Sequence, residues 1–74
     1  MIIRSQDKRK IETFERAFVD DGCRTVYVNG LNMGEYSTEE KAIKVLDKIC
    51  DACRNIAFID EQAVVFNMPQ ESEV

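Results

Sequence analysis

Cys50 and Cys53 stand three residues apart, which is the spacing of a redox pair or of half a zinc site. A redox pair normally begins a helix, where the helix dipole lowers the pKa of the first thiol, whereas these two cysteines are expected late in a helix. Zinc requires four ligands, and Cys23 is the only further thiol in a chain without histidine. We therefore interpret Cys50 and Cys53 as small apolar residues of a helix face, and we expect no cofactor. A metal shared between two copies is the alternative.

Acid–base catalysis has little support in this sequence. Histidine, the side chain best suited to proton transfer near neutral pH, is absent. Gly30 and Gly34 lack the spacing of the glycine-rich nucleotide-binding motifs. Adjacent carboxylates do occur, but neighbours in sequence usually solvate a turn or favour a helix start; they are Asp20-Asp21, Glu39-Glu40 and Asp60-Glu61. We expect a protein that is not an enzyme.

A polar group that follows the first apolar run is the best candidate for binding. It offers two cations, an amide and a carboxylate, which suit a phosphate or an acidic loop of a partner. Its members are Arg4, Gln6, Asp7 and Lys8. In the alternative interpretation, Arg4 pairs with a strand neighbour and Asp7 caps a turn. Tyr27 and Tyr36 join the candidate site as exposed aromatic surface, or else they pack at a sheet edge with the hydroxyl in water.

Charge and apolar content restrict the partners. The 74 residues carry a formal net charge of −4, and the last sixteen contribute four acids and no base. An acidic chain has no general attraction to DNA or RNA, and Lys8-Arg9-Lys10 is the only basic cluster, so nucleic acid is not an expected partner. The odd cysteine count and the lack of a long apolar segment predict a cytoplasmic protein that does not enter membranes.

A hairpin is the clearest structural element in this sequence. Asn29 and Gly30 lie between two strand-like runs, residues 23–28 and 31–36. Both residues tolerate the positive φ that a two-residue type I′ turn requires. The sequence therefore predicts an antiparallel hairpin here.

An amphipathic helix follows the hairpin directly. Ser37 and Glu40 have the spacing of a capping box that starts a helix. The main apolar face consists of Ala42, Val45, Leu46, Ile49, Cys53 and Ile56. A second, narrower stripe consists of Ile43, Cys50 and Ala57. This second stripe indicates either a wide core or a seam against another subunit, and so short a chain gains stability as a homo-dimer or larger oligomer.

The remaining segments complete a small sheet. Residues 2–4 and 63–66 are predicted as the first and last strands. Residues 10–19 fit both a helical and an alternating pattern, and we favour a strand because the turn at residues 20–22 would pair it with residues 23–28. The sequence predicts an α+β fold of order β-β-β-β-α-β, in which an antiparallel sheet carries one amphipathic helix. Residues 1–68 form a single domain, and residues 69–74 are predicted as a disordered acidic tail.

Several segments resemble a group of short proteins from Gram-positive bacteria and their phages, prophages and plasmids. They are Ile2-Ile3-Arg4-Ser5-Gln6-Asp7-Lys8, residues 34–42 with Val45-Leu46-Asp47 and Ile49, and Met68-Pro69-Gln70. The resemblance implies a small α+β module of a mobile element and brings no catalytic residues. From it we expect an anti-defence protein that modulates a host protein by occupying its surface. The alternative is sequestration of a small nucleotide in pockets between subunits, lined by Arg4, Lys8 and a tyrosine.

Overall fold

The computed structural model describes residues 1–55 and 64–74. Within these ranges the elements are β1 (Ile2–Arg4), β2 (Ile11–Thr13), β3 (Ala17–Phe18), β4 (Thr25–Val28), β5 (Leu31–Glu35), α1 (Glu39–Asn55), β6 (Val65–Asn67) and a 3₁₀ turn (Glu71–Glu73). The predicted α+β class is confirmed. No helix in the described part of the chain has the length and apolar character needed to cross a membrane.

The strands form two three-stranded sheets. One sheet has the order β2-β1-β6, with β1 antiparallel to β2 and parallel to β6. The other is the hairpin sheet, which is antiparallel throughout and has the order β3-β4-β5. The prediction of one antiparallel sheet misses both the second sheet and the parallel pair. β1 and β6 come from opposite ends of the described chain, so no tight hairpin forces them to be antiparallel.

Residues 10–19 contain strands and no helix, as predicted, but these strands divide between the two sheets. β2 pairs with β1, and only β3 makes the predicted pairing with β4. The partners in that pairing are Ala17 with Val28 and Phe18 with Tyr27. One predicted strand is therefore two short strands, and the described part of the chain has five strands before the helix instead of four.

The type I′ hairpin is confirmed at Asn29 and Gly30, whose φ angles are 54° and 82°. Further from the turn, the register between β4 and β5 shifts between Val26 and Tyr27, which marks a bulge. The bulge places both Met33 and Gly34 in the interior, although they are neighbours in the strand.

The main apolar face of α1 packs against the sheets as predicted. Its described members are buried or half-buried: Ala42, Val45, Leu46, Ile49 and Cys53. The predicted positions Ile56 and Ala57 lie outside the described residues. Ile43 is 44% exposed and Cys50 is also exposed, so the second stripe does not extend this chain's core. The wide core is therefore excluded for Ile43 and Cys50, and the seam against another subunit remains a prediction.

The start of α1 differs from the predicted capping box. Thr38 Oγ1 accepts a hydrogen bond from the Lys41 amide at 3.1 Å, so Thr38 is the N-cap instead of Ser37. The Ser37 amide donates to the Glu71 carboxylate at 3.2 Å. Glu40 pairs with a lysine one turn later in the helix. The capping-box prediction fails because the carboxylate that satisfies Ser37 comes from the C-terminal end of the chain.

The C-terminal segment, residues 69–74, folds against the domain and differs from the predicted disordered tail. Glu71 forms an ion pair with Lys41 Nζ at 3.0 Å. Gln70 Nε2 donates to the Gln6 carbonyl at 2.7 Å. Val74 packs against the hydrophobic core. Composition alone misses these contacts because each polar group finds its partner far away in sequence.

The C-terminal segment is expected to detach from Ser37 in Glu71→Gln. Hydrogen bonds from Ser37 and then Lys41 hold the pKa of the Glu71 carboxyl below its usual value. Such a carboxylate stabilises the folded state above its unfolded pKa, and this contribution is lost as pH falls through its folded pKa. Exchange of the Ser37 amide, measured by NMR and corrected for the intrinsic rate, should therefore be faster in Glu71→Gln at neutral pH. In the unmodified chain it should accelerate only in strong acid.

Glu40→Gln is the matched control, since Glu40 is exposed and its ion pair is with Lys44 in the same helix. This variant should leave the Ser37 exchange rate unchanged. Equal rates in Glu71→Gln and the unmodified chain would contradict the docking of the segment.

Candidate binding site

The β1–β2 turn, residues 5–10, is organised around the buried side chain of Ser5. Ser5 Oγ donates to Asp7 Oδ1 at 2.6 Å and accepts from the Lys10 amide at 3.0 Å. The Ser5 backbone amide also donates to the Lys10 carbonyl, and the Ser5 carbonyl accepts from the Lys8 amide. Asp7 Oδ1 accepts a second bond from the Arg9 amide at 3.0 Å. The turn is therefore held by its own polar groups.

Asp7 is committed to this turn as a hydrogen-bond acceptor. The Ser5 hydroxyl and then the Arg9 amide hold the pKa of the Asp7 carboxyl below its usual value, and the charges of Lys10 and Arg9 act in the same direction. Asp7 thus caps the turn, which agrees with the alternative interpretation of this residue in the sequence.

Basic side chains surround the turn. Lys8 lies at its tip with a φ of 66°, and Lys8 and Arg9 are both exposed. Neither forms an ion pair within the described part of the chain. Arg4 Nη2 donates to the Lys8 carbonyl at 3.4 Å, and Lys10 Nζ donates to the Asn32 carbonyl at 3.0 Å. Of the four cations, Lys8 and Arg9 are the two whose charged groups have no such partner among residues 1–55 and 64–74.

Gln6 attaches the turn to the rest of the domain. Its backbone amide donates to the Met33 carbonyl at 2.8 Å, and its side-chain Oε1 accepts from the Glu35 amide at 3.0 Å. Its carbonyl accepts from the Gln70 side chain. Gln6 therefore has a positioning role between β5 and the C-terminal segment.

A cleft of about 310 Å³ lies between the turn and β5. This volume is at the lower end of the range for small-molecule pockets. Asp7 and Glu35 line the cleft against the single cation Lys10, so its lining carries an excess of negative charge. Asn32 Nδ2 already donates to Glu35 Oε1 at 3.0 Å. The cleft is therefore a poor site for an anion.

Tyr36 is a core residue, contrary to the prediction of exposed aromatic surface. It is 5% exposed, and its hydroxyl donates to the Pro69 carbonyl at 2.8 Å. Burial raises the pKa of Tyr36 to about 12, and nearby Glu71 and Glu73 add to the effect. Gly34 makes this packing possible, since a Cβ there would lie 3.0 Å from the Tyr36 hydroxyl.

Tyr27 lies apart from the β1–β2 turn, on the outer face of the hairpin sheet. Its ring stacks on Phe18, with centroids 5.2 Å apart and an interplanar angle of 18°. Phe18 is 37% exposed, so the stacked pair keeps part of its surface in solvent. The pair forms a cross-strand contact between β3 and β4.

The two cysteines of the three-residue spacing lie late in α1, as predicted. Cys50 is exposed and Cys53 is half-buried. Among residues 1–55 and 64–74, no cluster of three or more His, Cys, Asp or Glu side chains is placed to hold a metal ion. A metal shared between copies remains a prediction.

The structure places three of the six predicted site residues in the β1–β2 turn and Arg4 beside it at the end of β1, and it separates the two tyrosines from them. Arg9 was recognised in the sequence only as part of the basic triplet. The central role of Ser5 was missed, although serine and aspartate side chains commonly bond to nearby backbone groups in turns. The chain matches no protein-family model, no curated protein and no solved structure.

Proposed function

We propose that this chain is a non-enzymatic binding protein that occupies an acidic surface of a host protein through its β1–β2 turn. The observation that carries the proposal is the pair of exposed cations Lys8 and Arg9 on a turn whose only carboxylate, Asp7, is bonded internally. The resemblance to proteins of Gram-positive mobile elements supports a bacterial host protein, and a role against host defence, as the target.

A hydrogen-bonded turn is a suitable platform for such contacts. Ser5 and Asp7 fix the backbone before a partner arrives, so binding orders few additional groups. Arg9 offers a planar fork that matches a carboxylate in bidentate geometry, while Lys8 adds a point charge at the tip. The chain is acidic overall, so this local basic patch also selects the orientation in which a partner approaches.

A nucleotide ligand, the alternative, has less support from the same geometry. The cleft beside the turn has more negative than positive lining groups, and Tyr36 is buried in the core. This cleft is therefore unsuited to a nucleotide, and the alternative remains a pocket between subunits. A thermal-shift series with cyclic and ADP-ribose-type nucleotides tests this alternative directly.

The proposal predicts that Lys8→Glu with Arg9→Glu lowers affinity for the partner roughly 100-fold, because each charge-assisted hydrogen bond contributes about 1.5 kcal/mol. The partner is first isolated from a Gram-positive host lysate on the unmodified chain and then purified. Titration calorimetry at two salt concentrations measures the affinity. Binding by the unmodified chain should weaken as salt increases.

The matched control is Arg16→Glu with Arg24→Glu, which makes the same charge change at two exposed arginines outside the turn. This control should retain the affinity of the unmodified chain. A partner that binds the Lys8 and Arg9 variant equally well would refute the role of the turn. Failure to recover any stoichiometric partner, or a melting temperature raised by a nucleotide, would refute the proposed function.

A further inference from the structure

The outward face of α1 has a charge pattern that complements itself when the helix is reversed. Glu40 and Lys44 lie near the start of the helix and pair at 3.7 Å. Asp51 and Arg54 lie near its end and also pair at 3.7 Å. Read from the start, the order is acid, base, acid, base, so a reversed copy presents base to acid at each position.

Two exposed apolar side chains lie on the same face. At 3.6 residues per turn, Ile43 and Cys50 are seven residues apart and share one flank of the outward face, while Lys44 and Asp51 share the other flank. Ile43 is 44% exposed and Cys50 is exposed. The buried face of the helix points the opposite way. An apolar flank beside a charged flank is the pattern of a helix seam.

We propose that α1 pairs with α1 of a second copy of this chain in antiparallel orientation, about a two-fold axis beside Asp47. Reversal about Asp47 places Glu40 opposite Arg54 of the partner subunit. It also places Lys44 opposite Asp51 of the partner subunit, and Ile43 opposite Cys50 of the partner subunit. The midpoints of the three pairs are positions 47, 47.5 and 46.5, which agree to within half a residue, or about 0.75 Å along the helix. One two-fold axis beside Asp47 therefore satisfies them together, as an isologous interface requires.

The charge pattern selects a second copy in this orientation. A parallel copy in register would place each charge opposite its equal, which is unfavourable. Exposed ion pairs contribute little affinity, so they fix orientation while Ile43 and Cys50 supply the apolar contact. Asp47 faces its own symmetry mate at the axis, and this repulsion opposes association. The seam therefore predicts a reversible dimer of modest affinity, and it does not depend on the β1–β2 turn.

Cross-linking tests the orientation. Positions 43 and 50 of one helix are about 10 Å apart along the axis, which is too far for a disulfide within one chain. We expect Ile43→Cys, oxidised with excess oxidised glutathione, to form a covalent dimer whose disulfide joins position 43 to Cys50 of the partner subunit, as mapped by peptide mass spectrometry. The unmodified chain should not join its two Cys50 thiols, which lie about 9 Å apart along the antiparallel pair.

Lys48→Cys is the matched control, because this exposed position lies to one side of the seam. It should give no disulfide to Cys50 of the partner subunit. A Cys50-to-Cys50 disulfide in the unmodified chain would overturn the antiparallel arrangement. Equal cross-linking of Lys48→Cys and Ile43→Cys to Cys50 of the partner subunit would also overturn it.

Sedimentation velocity tests the affinity at concentrations from roughly 10 μM to about 1 mM. Ile43→Glu should weaken the dimer about tenfold or more, because it removes a buried aliphatic contact and adds a charge. Asp47→Asn should strengthen the dimer roughly threefold by removing the repulsion at the axis. Circular dichroism confirms that both variants remain folded. A monomer at every concentration, or a dimer insensitive to Ile43→Glu, would refute the seam.

Discussion

Asn29→Ala is expected to lower the free energy of unfolding by roughly 3 kcal/mol. The Asn29 side chain accepts from the Glu15 and Arg16 amides at 3.0 and 3.2 Å. Its Nδ2 donates to the Thr13 carbonyl at 2.7 Å and to Glu12 Oε1 at 3.3 Å. Its φ of 54° is one that asparagine tolerates and alanine does not. The substitution therefore removes four bonds and adds backbone strain.

Two further substitutions at Asn29 separate these contributions in urea unfolding experiments. Asn29→Gly keeps the positive φ but loses the side-chain bonds, so it should be about 1 kcal/mol more stable than Asn29→Ala. Asn29→Asp keeps both acceptor bonds but turns a carboxylate oxygen toward the Thr13 carbonyl and the Glu12 carboxylate, so it should also be destabilising although it tolerates the same φ. An unfolding free energy for Asn29→Ala within about 0.5 kcal/mol of the unmodified chain would contradict this role.

Ile3→Ala is expected to destabilise the domain by about 2–5 kcal/mol, or to prevent folding altogether. Ile3 has no exposed surface and lies in β1, the central strand of the β2-β1-β6 sheet. Truncation leaves a cavity between two flanking strands and the hydrophobic core. So small a domain has little stability in reserve.

Ile11→Ala is the matched control, because it makes the same chemical change in the neighbouring strand β2. Ile11 is 65% exposed, so its truncation should cost less than about 1 kcal/mol. Thermal and urea unfolding of both variants measures the difference. Similar losses for Ile3→Ala and Ile11→Ala would show that the β2-β1-β6 sheet does not have the described burial.

Local sequence signals were sufficient wherever neighbouring residues determine the structure. Asn29 and Gly30 define their own turn, because each tolerates the φ that the turn requires. The main face of α1 follows from the helical period alone. The proximity of the residues from Arg4 to Lys8 was predictable because neighbours in a strand end and its turn remain together in the folded chain.

Features that depend on distant contacts were not predictable. Residues 10–19 divide into two strands where the Asn29 side chain bonds to Glu15 and Arg16, and no local pattern shows that contact. Thr38 and not Ser37 is the N-cap, because the C-terminal segment already bonds to the Ser37 amide. Alternation also fails at the bulge, so the sequence does not show that Tyr36 faces inward.

The parallel pairing of β1 with β6 has a consequence for synthesis. Ile3 lies opposite Phe66, so the β2-β1-β6 sheet cannot be complete until residues 65–67 have left the ribosome. Before that moment the nascent chain can already form the antiparallel pairs and the helix, which involve closer neighbours. One flank of β1 therefore stays open as an unpaired edge during translation, which is when chaperones would be most useful to it.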